Sequence, residues 1–297
     1  MSNKKLIVIL GPTASGKTAL AIKLAKQFDG EIVSADSRQI YKELNIGTAK
    51  PTKKEREAIP HHLVDVISPT QEFNVVIYKK LAIQAIKDIQ KRGKVPFLVG
   101  GTGLYIQAVV DNIEFPRVPA QWNLRKELEK KSTKELFEIY KKLDPRGAKF
   151  IARENKRRLI RAIEVCKVTG KPFFEQRKRG KVLFDILQIG IKVNKEELRA
   201  RISKRVEEMF KSGLEEEVKR LVEKYGFEIP LLQTIGYQEW QEYFAGKITK
   251  KELKEKIKLH TLQFAKRQIT WFKKDKRIKW IKNYQEGEKL IKEFLKQ

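Results

Sequence analysis

Cysteine is almost absent from this chain, since Cys166 is the only one among 297 residues. A single cysteine excludes an internal disulfide and any zinc site built from cysteines. The apolar residues around Cys166 predict that it is a small buried residue. With 41% hydrophobic residues, the chain is long enough to bury a substantial core.

Long apolar runs are also missing, and no stretch approaches the length of a membrane span. Lys4 and Lys5 precede an apolar run, as in a signal peptide, but that run ends after five residues. Internal repeats and low-complexity linkers are absent as well. We therefore expect a soluble, cytoplasmic protein.

Acidic residues are scarce relative to basic ones: 37 Asp and Glu against 65 Lys and Arg give a net charge of +28. Such an excess opposes compaction through self-repulsion, and its usual purpose is an anionic partner, most often nucleic acid. A charged, heat-adapted surface would explain many charges of both signs, but not this imbalance. The composition therefore favours a nucleic-acid partner.

A phosphate-binding motif directly follows the first apolar run. It matches G-x-x-x-x-G-K-[ST] at every fixed position and consists of Gly11, Pro12, Thr13, Ala14, Ser15, Gly16, Lys17 and Thr18. Its glycines allow successive N–H groups to point inward at the start of a helix. Lys17 is predicted to neutralise phosphate oxygens and Thr18 to hold Mg²⁺. The motif does not specify which phosphate compound binds.

Short apolar runs alternate with helical patterns in the first third of the chain. This alternation predicts an α/β fold with a parallel sheet flanked by helices, like that of P-loop NTPases. The predicted strands are Leu6–Leu10, Glu31–Ser34, Leu63–Ile67, Val95–Val99 and Ile186–Val193. Helices are predicted over 75–91, 195–211, 214–224 and 249–274, and the four tryptophans are predicted to be core residues.

A basic segment interrupts this pattern. Residues 111–183 have helical periodicity, many Lys and Arg residues and no convincing strand. They are predicted to form a helical insertion domain, and 1–110 plus 184–297 to form a P-loop catalytic core.

Asp36 follows the second predicted strand. The carboxyl ends of parallel strands face the ligand crevice, so Asp36 is expected on the same rim as the phosphate loop. A carboxylate there fits a general base acting on a second substrate, or an indirect partner of a metal. The strand before Gly100 ends in glycines where many P-loop NTPases have an aspartate. Glycines at this strand end leave room for a bulky second substrate, although a tight turn between strand and helix would also account for them.

Arg201 and Arg205 share one helix face. Solvated side chains and a clamp on a diphosphate or a nucleic-acid backbone are both compatible with this spacing.

Further segments, in one order along nearly the whole chain, resemble those of the tRNA dimethylallyltransferases, also called tRNA isopentenyltransferases. Besides the phosphate loop they are Ala35–Tyr41, Gly47–Pro51, His61–Asp65, Gly100–Tyr105, Arg158–Val165, Thr169–Pro172, Gln233–Tyr237 and Gln263–Phe272. Departures are mild, such as Ile163 where leucine is usual. The phosphate loop alone is shared by unrelated enzymes, whereas this ordered set is specific.

The resemblance implies transfer of a dimethylallyl group from dimethylallyl diphosphate to the exocyclic amine of the adenine 3′-adjacent to the tRNA anticodon, giving N6-isopentenyladenosine. It implies that the phosphate loop holds the donor's diphosphate, with Mg²⁺ as the cofactor at Thr18. Asp36 is then the candidate general base, and Thr18 and Arg205 stabilise the leaving group.

The resemblance also implies which residues contact tRNA. They are Asp36, Ser37, Arg38, Gln39 and Thr102 in the core, and Arg157, Arg158, Leu159, Ile160 and Arg161 in the insertion, which would grip the anticodon arm. The target base is expected to flip out of its stack. We expect a monomer that binds no membrane.

Three other interpretations stay open at this point. A small-molecule P-loop kinase accounts for the motif and Asp36 but not for the basic insertion. An adenylate isopentenyltransferase would use the same donor on a free nucleotide. The third is an RNA-binding module whose phosphate loop has lost catalysis, and the intact Lys17, Thr18 and Asp36 argue against it.

Overall fold

The structure, a computed structural model, describes residues 5–176 and 178–297. The chain forms two compact units. The core unit comprises the chain up to Val110 together with Leu183–Gln297, and the helical unit comprises Asp111–Val182. The sequence analysis predicts the insertion at 111–183, so the two sets of boundaries differ only at Leu183.

The described residues contain eight strands. They are β1 Lys5–Leu10, β2 Gly30–Ala35, β3 His61–His62, β4 Val95–Gly100, β5 Ile113–Glu114, β6 Lys178–Arg179, β7 Asp185–Ile191 and β8 Lys279–Ile281. Six of them form a parallel sheet in the order β3-β2-β4-β1-β7-β8. The central strand β1 is buried along its whole length, with Ile7 opposite Phe97 and Leu187. Burial on both faces explains why these strands read as continuous apolar runs.

The parallel α/β fold is confirmed, but the predicted strand Leu63–Ile67 is wrong. Leu63 and Asp65 have φ angles of 62° and 57°, in the left-handed region, which an extended strand does not tolerate. The strand therefore stops at His62, and Ile67 forms only an isolated bridge with Tyr41. The other four strands are present close to their predicted bounds.

Twelve α-helices lie in the described ranges. They are α1 Lys17–Gln27, α2 Lys53–Ala58, α3 Val75–Lys91, α4 Gly103–Val110, α5 Trp122–Glu129, α6 Thr133–Leu143, α7 Lys156–Thr169, α8 Lys195–Lys211, α9 Leu214–Tyr225, α10 Trp240–Phe244, α11 Lys250–Phe272 and α12 Tyr284–Lys296. The start of α3 falls where predicted, because Asn74 Oδ1 accepts hydrogen bonds from the N–H groups of Val76 and Ile77. The helices predicted at 195–211, 214–224 and 249–274 are confirmed as α8, α9 and α11.

The sheet separates two apolar layers of the core unit. Leu6 and Val8 of β1 pack in the layer that contains α3, α9 and α11. Ile7 and Ile9 point to the opposite layer, formed by α1 and α12. In the register of the sheet Leu10, Gly100 and Ala35 lie side by side, so the loops that follow β1, β4 and β2 leave the same edge.

The prediction for the tryptophans is wrong for three of four. Trp240 is fully buried, whereas more than a third of the surface is exposed in Trp122, Trp271 and Trp280.

Within the described part of the chain, no helix has both the length and the apolarity needed to cross a membrane.

The helical unit has a small core of its own, in which α5, α6 and α7 pack around Leu136 and Ile163. Cys166 is buried in this core, as predicted. At its two ends, β5 and β6 form a short antiparallel pair, which the sequence analysis does not predict. The carboxylate of Glu164 is buried and accepts hydrogen bonds from Arg125 and Arg161.

Candidate active site

The phosphate loop lies between β1 and α1, at the carboxyl edge of the sheet. Gly16 has a φ of 85°, a conformation that glycine adopts without strain. A Cβ atom at Gly11 would lie 2.8 Å from Ser15 Oγ, so a larger residue would have to displace the buried Ser15 side chain. Lys17 and Thr18 begin α1, where the unpaired N–H groups and the helix dipole favour an anion. The loop therefore has the geometry that the motif predicts.

Lys17 is the cation at the centre of this loop. Burial lowers the pKa of Lys17 to about 8, and the Asp36 carboxylate opposes this shift while the Arg205 guanidinium adds to it. The Lys17 ammonium donates to the Pro12 carbonyl oxygen at 3.3 Å. A half-buried cation whose charge is only partly compensated favours an anionic ligand.

Two arginines of α8 reach the same loop. Arg205 Nη1 donates to Thr13 Oγ1 at 3.2 Å, and Arg201 Nη1 donates to the Ser15 carbonyl oxygen at 2.9 Å. Burial lowers the pKa of Arg205, and the nearby Asp36 carboxylate counteracts part of that effect. Arg205 therefore faces the cavity, while Arg201 supports the loop and also pairs with Glu197.

Asp36 directly follows β2, and its side chain is held by the backbone of the residues two and three positions later. Its Oδ1 accepts hydrogen bonds from the N–H groups of Arg38 at 2.9 Å and Gln39 at 3.4 Å. Oδ2 makes no hydrogen bond to any described residue. Asp36 is also the only acidic residue among the described residues that line the cavity. It therefore has one oxygen fixed and one available to a ligand.

The segment after Asp36 is tied to two neighbouring loops. The Ser37 N–H donates to Thr102 Oγ1 at 3.1 Å, which links it to the glycine-rich loop after β4. Gln39 Nε2 donates to the carbonyl oxygens of Thr48 at 3.2 Å and Ala49 at 3.0 Å. The amide of Gln39 thus holds a protein loop in addition to lining the cavity.

Two polar side chains that were not predicted from the sequence hold the loops around the cavity in place. Buried Glu217 of α9 accepts hydrogen bonds from three consecutive N–H groups, at 45–47, and from the Tyr237 hydroxyl. Gln268 of α11 accepts from the Thr13 N–H at 2.8 Å and donates to the Gly101 carbonyl oxygen at 2.8 Å. Gln268 lies in a segment that carries the family resemblance, which is the only signal for it.

The loops enclose a cavity of about 430 Å³ within the core unit. Its polar end carries Thr13, Lys17, Thr18, Asp36 and Arg205, and its apolar wall comes from α8 and α11, with Ile202, Val206, Met209, Ile257 and Phe264. The predicted residues Ser37, Arg38, Gln39 and Thr102 also line it. The structure thus brings the core residues of the predicted site together.

The predicted residues of α7 behave differently. The side chains of Leu159 and Ile160 are 0% and 3% exposed and form part of the helical unit's core. Arg157 and Arg158 are exposed. Arg161 is half-buried, since its guanidinium bonds to Glu164 and to the Val118 carbonyl oxygen.

Comparison with known proteins identifies relatives over most of the chain. The family model described as IPP transferase matches residues 39–275, and the one described as isopentenyl transferase matches residues 4–64. A tRNA dimethylallyltransferase of Carboxydothermus hydrogenoformans is 44% identical over 298 residues, which is 98% of this chain and 96% of that protein. One of Anoxybacillus flavithermus is 45% identical over 280 residues, with 94% and 90% of the two chains covered.

Solved structures of similar transferases match the chain as well. The crystal structure of a tRNA isopentenylpyrophosphate transferase from Bacillus halodurans has a TM-score of 0.75 and 36% identity, covering 99% of this chain and 97% of that one. A eukaryotic dimethylallyltransferase, determined acting on tRNA, has a TM-score of 0.77 and 32% identity over 91% of this chain and 70% of that one.

Proposed function

The chain belongs to the IPP transferase family, and from that premise we propose that it transfers a dimethylallyl group from dimethylallyl diphosphate to a tRNA. The acceptor is the exocyclic amine of the adenine 3′-adjacent to the anticodon, and the product is N6-isopentenyladenosine. The relatives named as tRNA dimethylallyltransferases cover almost the full chain, which supports the same reaction here.

The observation that carries the proposal is the arrangement of charge in the cavity. Lys17 and Arg205 lie beside the phosphate loop, the carboxylate of Asp36 lies at the end of β2, and an apolar wall extends from them. The cations suit a diphosphate, and the apolar wall suits a five-carbon prenyl chain. A single carboxylate remains for the acceptor amine.

Asp36 then serves as the general base. Adenine's exocyclic amine is a weak nucleophile, because its lone pair is delocalised into the ring. As the nitrogen bonds to the allylic carbon, its proton passes to the available Oδ2 of Asp36. The bond from that carbon to the diphosphate oxygen breaks, and the diphosphate leaves with the electron pair.

The charge that develops on the leaving diphosphate is stabilised by the phosphate loop. Lys17, Arg205 and the inward N–H groups are fixed before reaction, so little reorganisation is needed as charge develops. Because the site is largely preformed, positioning of the two reactants supplies much of the remaining rate enhancement.

The donor atoms fit Mg²⁺ held mainly by the substrate. The described residues contain no group of three His, Cys, Asp or Glu side chains arranged to hold a metal, so a carboxylate cage is absent there. Mg²⁺ commonly keeps its waters and binds one or two protein oxygens plus substrate phosphates, and Thr18 supplies such an oxygen. When bound, Mg²⁺ would draw negative charge from the leaving diphosphate.

In this proposal the helical unit binds the anticodon arm. It carries 21 Lys and Arg against 10 Asp and Glu, and its exposed Arg157 and Arg158 are available to phosphates. The target base must leave its stack to reach the cavity. We further propose that the enzyme acts as a monomer on cytoplasmic tRNA.

A direct test incubates the protein with Mg²⁺, dimethylallyl diphosphate and a synthetic anticodon-arm RNA. We expect the RNA mass to increase by one isoprenyl unit, and digestion to place it on the adenine 3′ of the anticodon. The same RNA with guanine at that position is the matched control and should gain nothing.

Two substitutions of substrate separate the alternatives. Prenylation of AMP in preference to the RNA would favour the adenylate isopentenyltransferase. Phosphate transfer from ATP to an alcohol, without any isoprenyl increment, would favour the kinase. Tight RNA binding with no turnover of any donor would leave only an RNA-binding module.

A further inference from the structure

Two phenylalanines of the helical unit stack on each other at its surface. The ring centroids of Phe150 and Phe174 are 5.1 Å apart, and the ring planes differ by only 14°. Phe150 is 70% exposed and Phe174 is 43% exposed. With one face of Phe150 covered by Phe174, the other face remains open to solvent. The chain therefore presents a large aromatic surface that its own core does not use.

This stack is held in place from inside the unit. Phe150 ends a short 3₁₀ helix, Gly147–Lys149, and Phe174 lies in a second one, Phe173–Gln176. The buried carboxylate of Asp144 joins them: Oδ1 accepts from the Gly147 N–H at 2.7 Å, and Oδ2 accepts from the Phe174 N–H at 2.8 Å. A third hydrogen bond, from the Tyr140 hydroxyl at 2.9 Å, fixes Asp144 itself. The ring pair is thus preorganised rather than a chance contact of two loops.

The charge around the pair selects the kind of partner. Lys149 adjoins Phe150 in sequence, Lys171 lies three residues before Phe174, and both lysines are exposed. The adjacent acidic residue, Glu175, is paired with Arg146 at 3.8 Å. The whole unit carries 21 basic and 10 acidic residues. A second copy of a chain with net charge +28 would be repelled from such a surface. A partner with flat apolar faces and a negatively charged backbone is attracted by both features, and single-stranded nucleic acid has both.

We propose that Phe150 and Phe174 form a stacking platform for an unpaired base of the tRNA anticodon arm. The proposal rests on tRNA being the acceptor, and adds a contact that is aromatic rather than ionic. Stacking on a fixed ring needs no sequence readout, because every base has a π-face. The platform would therefore strengthen binding of the arm without selecting a base.

The test compares Phe150→Ala, Phe150→Leu and Phe150→Tyr by fluorescence anisotropy with a labelled anticodon-arm RNA. The alanine and leucine variants should raise Kd by about tenfold, since both lose the ring, while the tyrosine variant stays near wild type. The slope of log Kd against log salt should not change, because no cation is removed. Arg157→Ala is the matched control, and should reduce that slope by about one.

A second readout reports the stack itself. 2-Aminopurine placed in turn at each loop position should be quenched by the wild-type protein at one position, with quenching lost in Phe150→Ala. Unchanged Kd in Phe150→Ala, or full recovery in Phe150→Leu, would overturn the platform. The platform would also be overturned if Phe150→Ala changed the sedimentation of the RNA-free protein but left its Kd for RNA unaltered. That result would mean that the phenylalanine pair contacts a second copy of the protein instead of RNA. If the wild-type protein itself binds no anticodon-arm RNA, the proposed function fails rather than the platform alone.

Discussion

The two units of this protein use charge in opposite ways. In the core unit, the half-buried side chains of Lys17 and Arg205 line a cavity, and partial removal from water lowers the pKa of both. In the helical unit, Arg157 and Arg158 are exposed, and the buried Glu164 is paired internally. Cations shielded from water act strongly on a reacting group, whereas exposed cations act at longer range and are screened by salt. The comparison predicts chemistry in the core unit and affinity in the helical unit.

The largest expected effect comes from removing the carboxylate in the cavity. Asp36→Ala should reduce turnover by roughly 10²-fold or more, the range of a general base, and leave the Kd for anticodon-arm RNA within about twofold of wild type. Single-turnover kinetics and anisotropy measure the two quantities separately.

Asp36→Asn is the control for folding of this segment. Asparagine keeps an oxygen that accepts the Arg38 N–H but removes the base, so its turnover should be as low as that of the alanine variant. Near-normal turnover in Asp36→Asn would remove Asp36 from the role of base and weaken the division between the units.

The two buried glutamates give the next comparison. Glu217→Ala leaves the N–H groups of the 45–47 loop without their carboxylate, at a cost of about 2 kcal/mol. Because Gly47 of this loop lines the cavity, RNA binding has to restore the ordered loop against that cost, so the KM for RNA should rise by up to about thirtyfold, which corresponds to about 2 kcal/mol. Steady-state kinetics with each substrate varied in turn measure this, and the KM for the prenyl donor should change little.

Glu164→Ala is the matched change in the helical unit. Burial opposes ionisation of Glu164, but Arg125 and Arg161 outweigh it and hold the carboxyl pKa at about 2. Its loss removes the buried carboxylate to which both guanidinium groups bond, so thermal stability and RNA affinity should fall while turnover at saturating RNA persists. Lower turnover at saturating RNA in this variant would show that the helical unit also contributes to chemistry.

The third effect is a pH dependence confined to the core unit. The pKa of Lys17, lowered by burial to about 8, means that the free enzyme loses this charge as the pH rises past 8. Diphosphate binding favours the charged form, so the Kd for the donor should increase about tenfold per pH unit above 8 and be nearly constant below 7. Calorimetric titrations from pH 6.5 to 9.5 measure this.

Lys17→Arg keeps its charge across that range and should bind with a flat profile above pH 8. A wild-type profile that is flat up to pH 9.5 would contradict a buried, destabilised cation. The Kd for RNA, governed by exposed arginines, should show no bend at pH 8 in either protein.

The sequence predicts the parts of this site that depend on neighbouring residues. The phosphate loop is one continuous segment with fixed glycine positions, and Asp36 follows from the rule that strand ends share one edge. Glu217 gives no local signal, because the N–H groups that it accepts from lie about 170 residues earlier in the chain. The 63–67 strand is mispredicted because apolar composition does not reveal the left-handed φ angles at Leu63 and Asp65. The same limit hides Phe150, whose exposure depends on packing that periodicity does not encode.

The smallest expected effect distinguishes two arginines on successive turns of α7. Arg157 is exposed, so Arg157→Ala should raise the Kd for RNA about threefold, lower the salt slope by about one and leave the Tm unchanged. Arg161 bonds to Glu164 and to the Val118 carbonyl oxygen, so Arg161→Ala should mainly lower the Tm. Anisotropy at four salt concentrations and a thermal melt of each variant measure these differences. Equal salt slopes in the two variants would mean that Arg161 exchanges its internal partner for phosphate, and the contrast between buried and exposed charge would then not hold within α7.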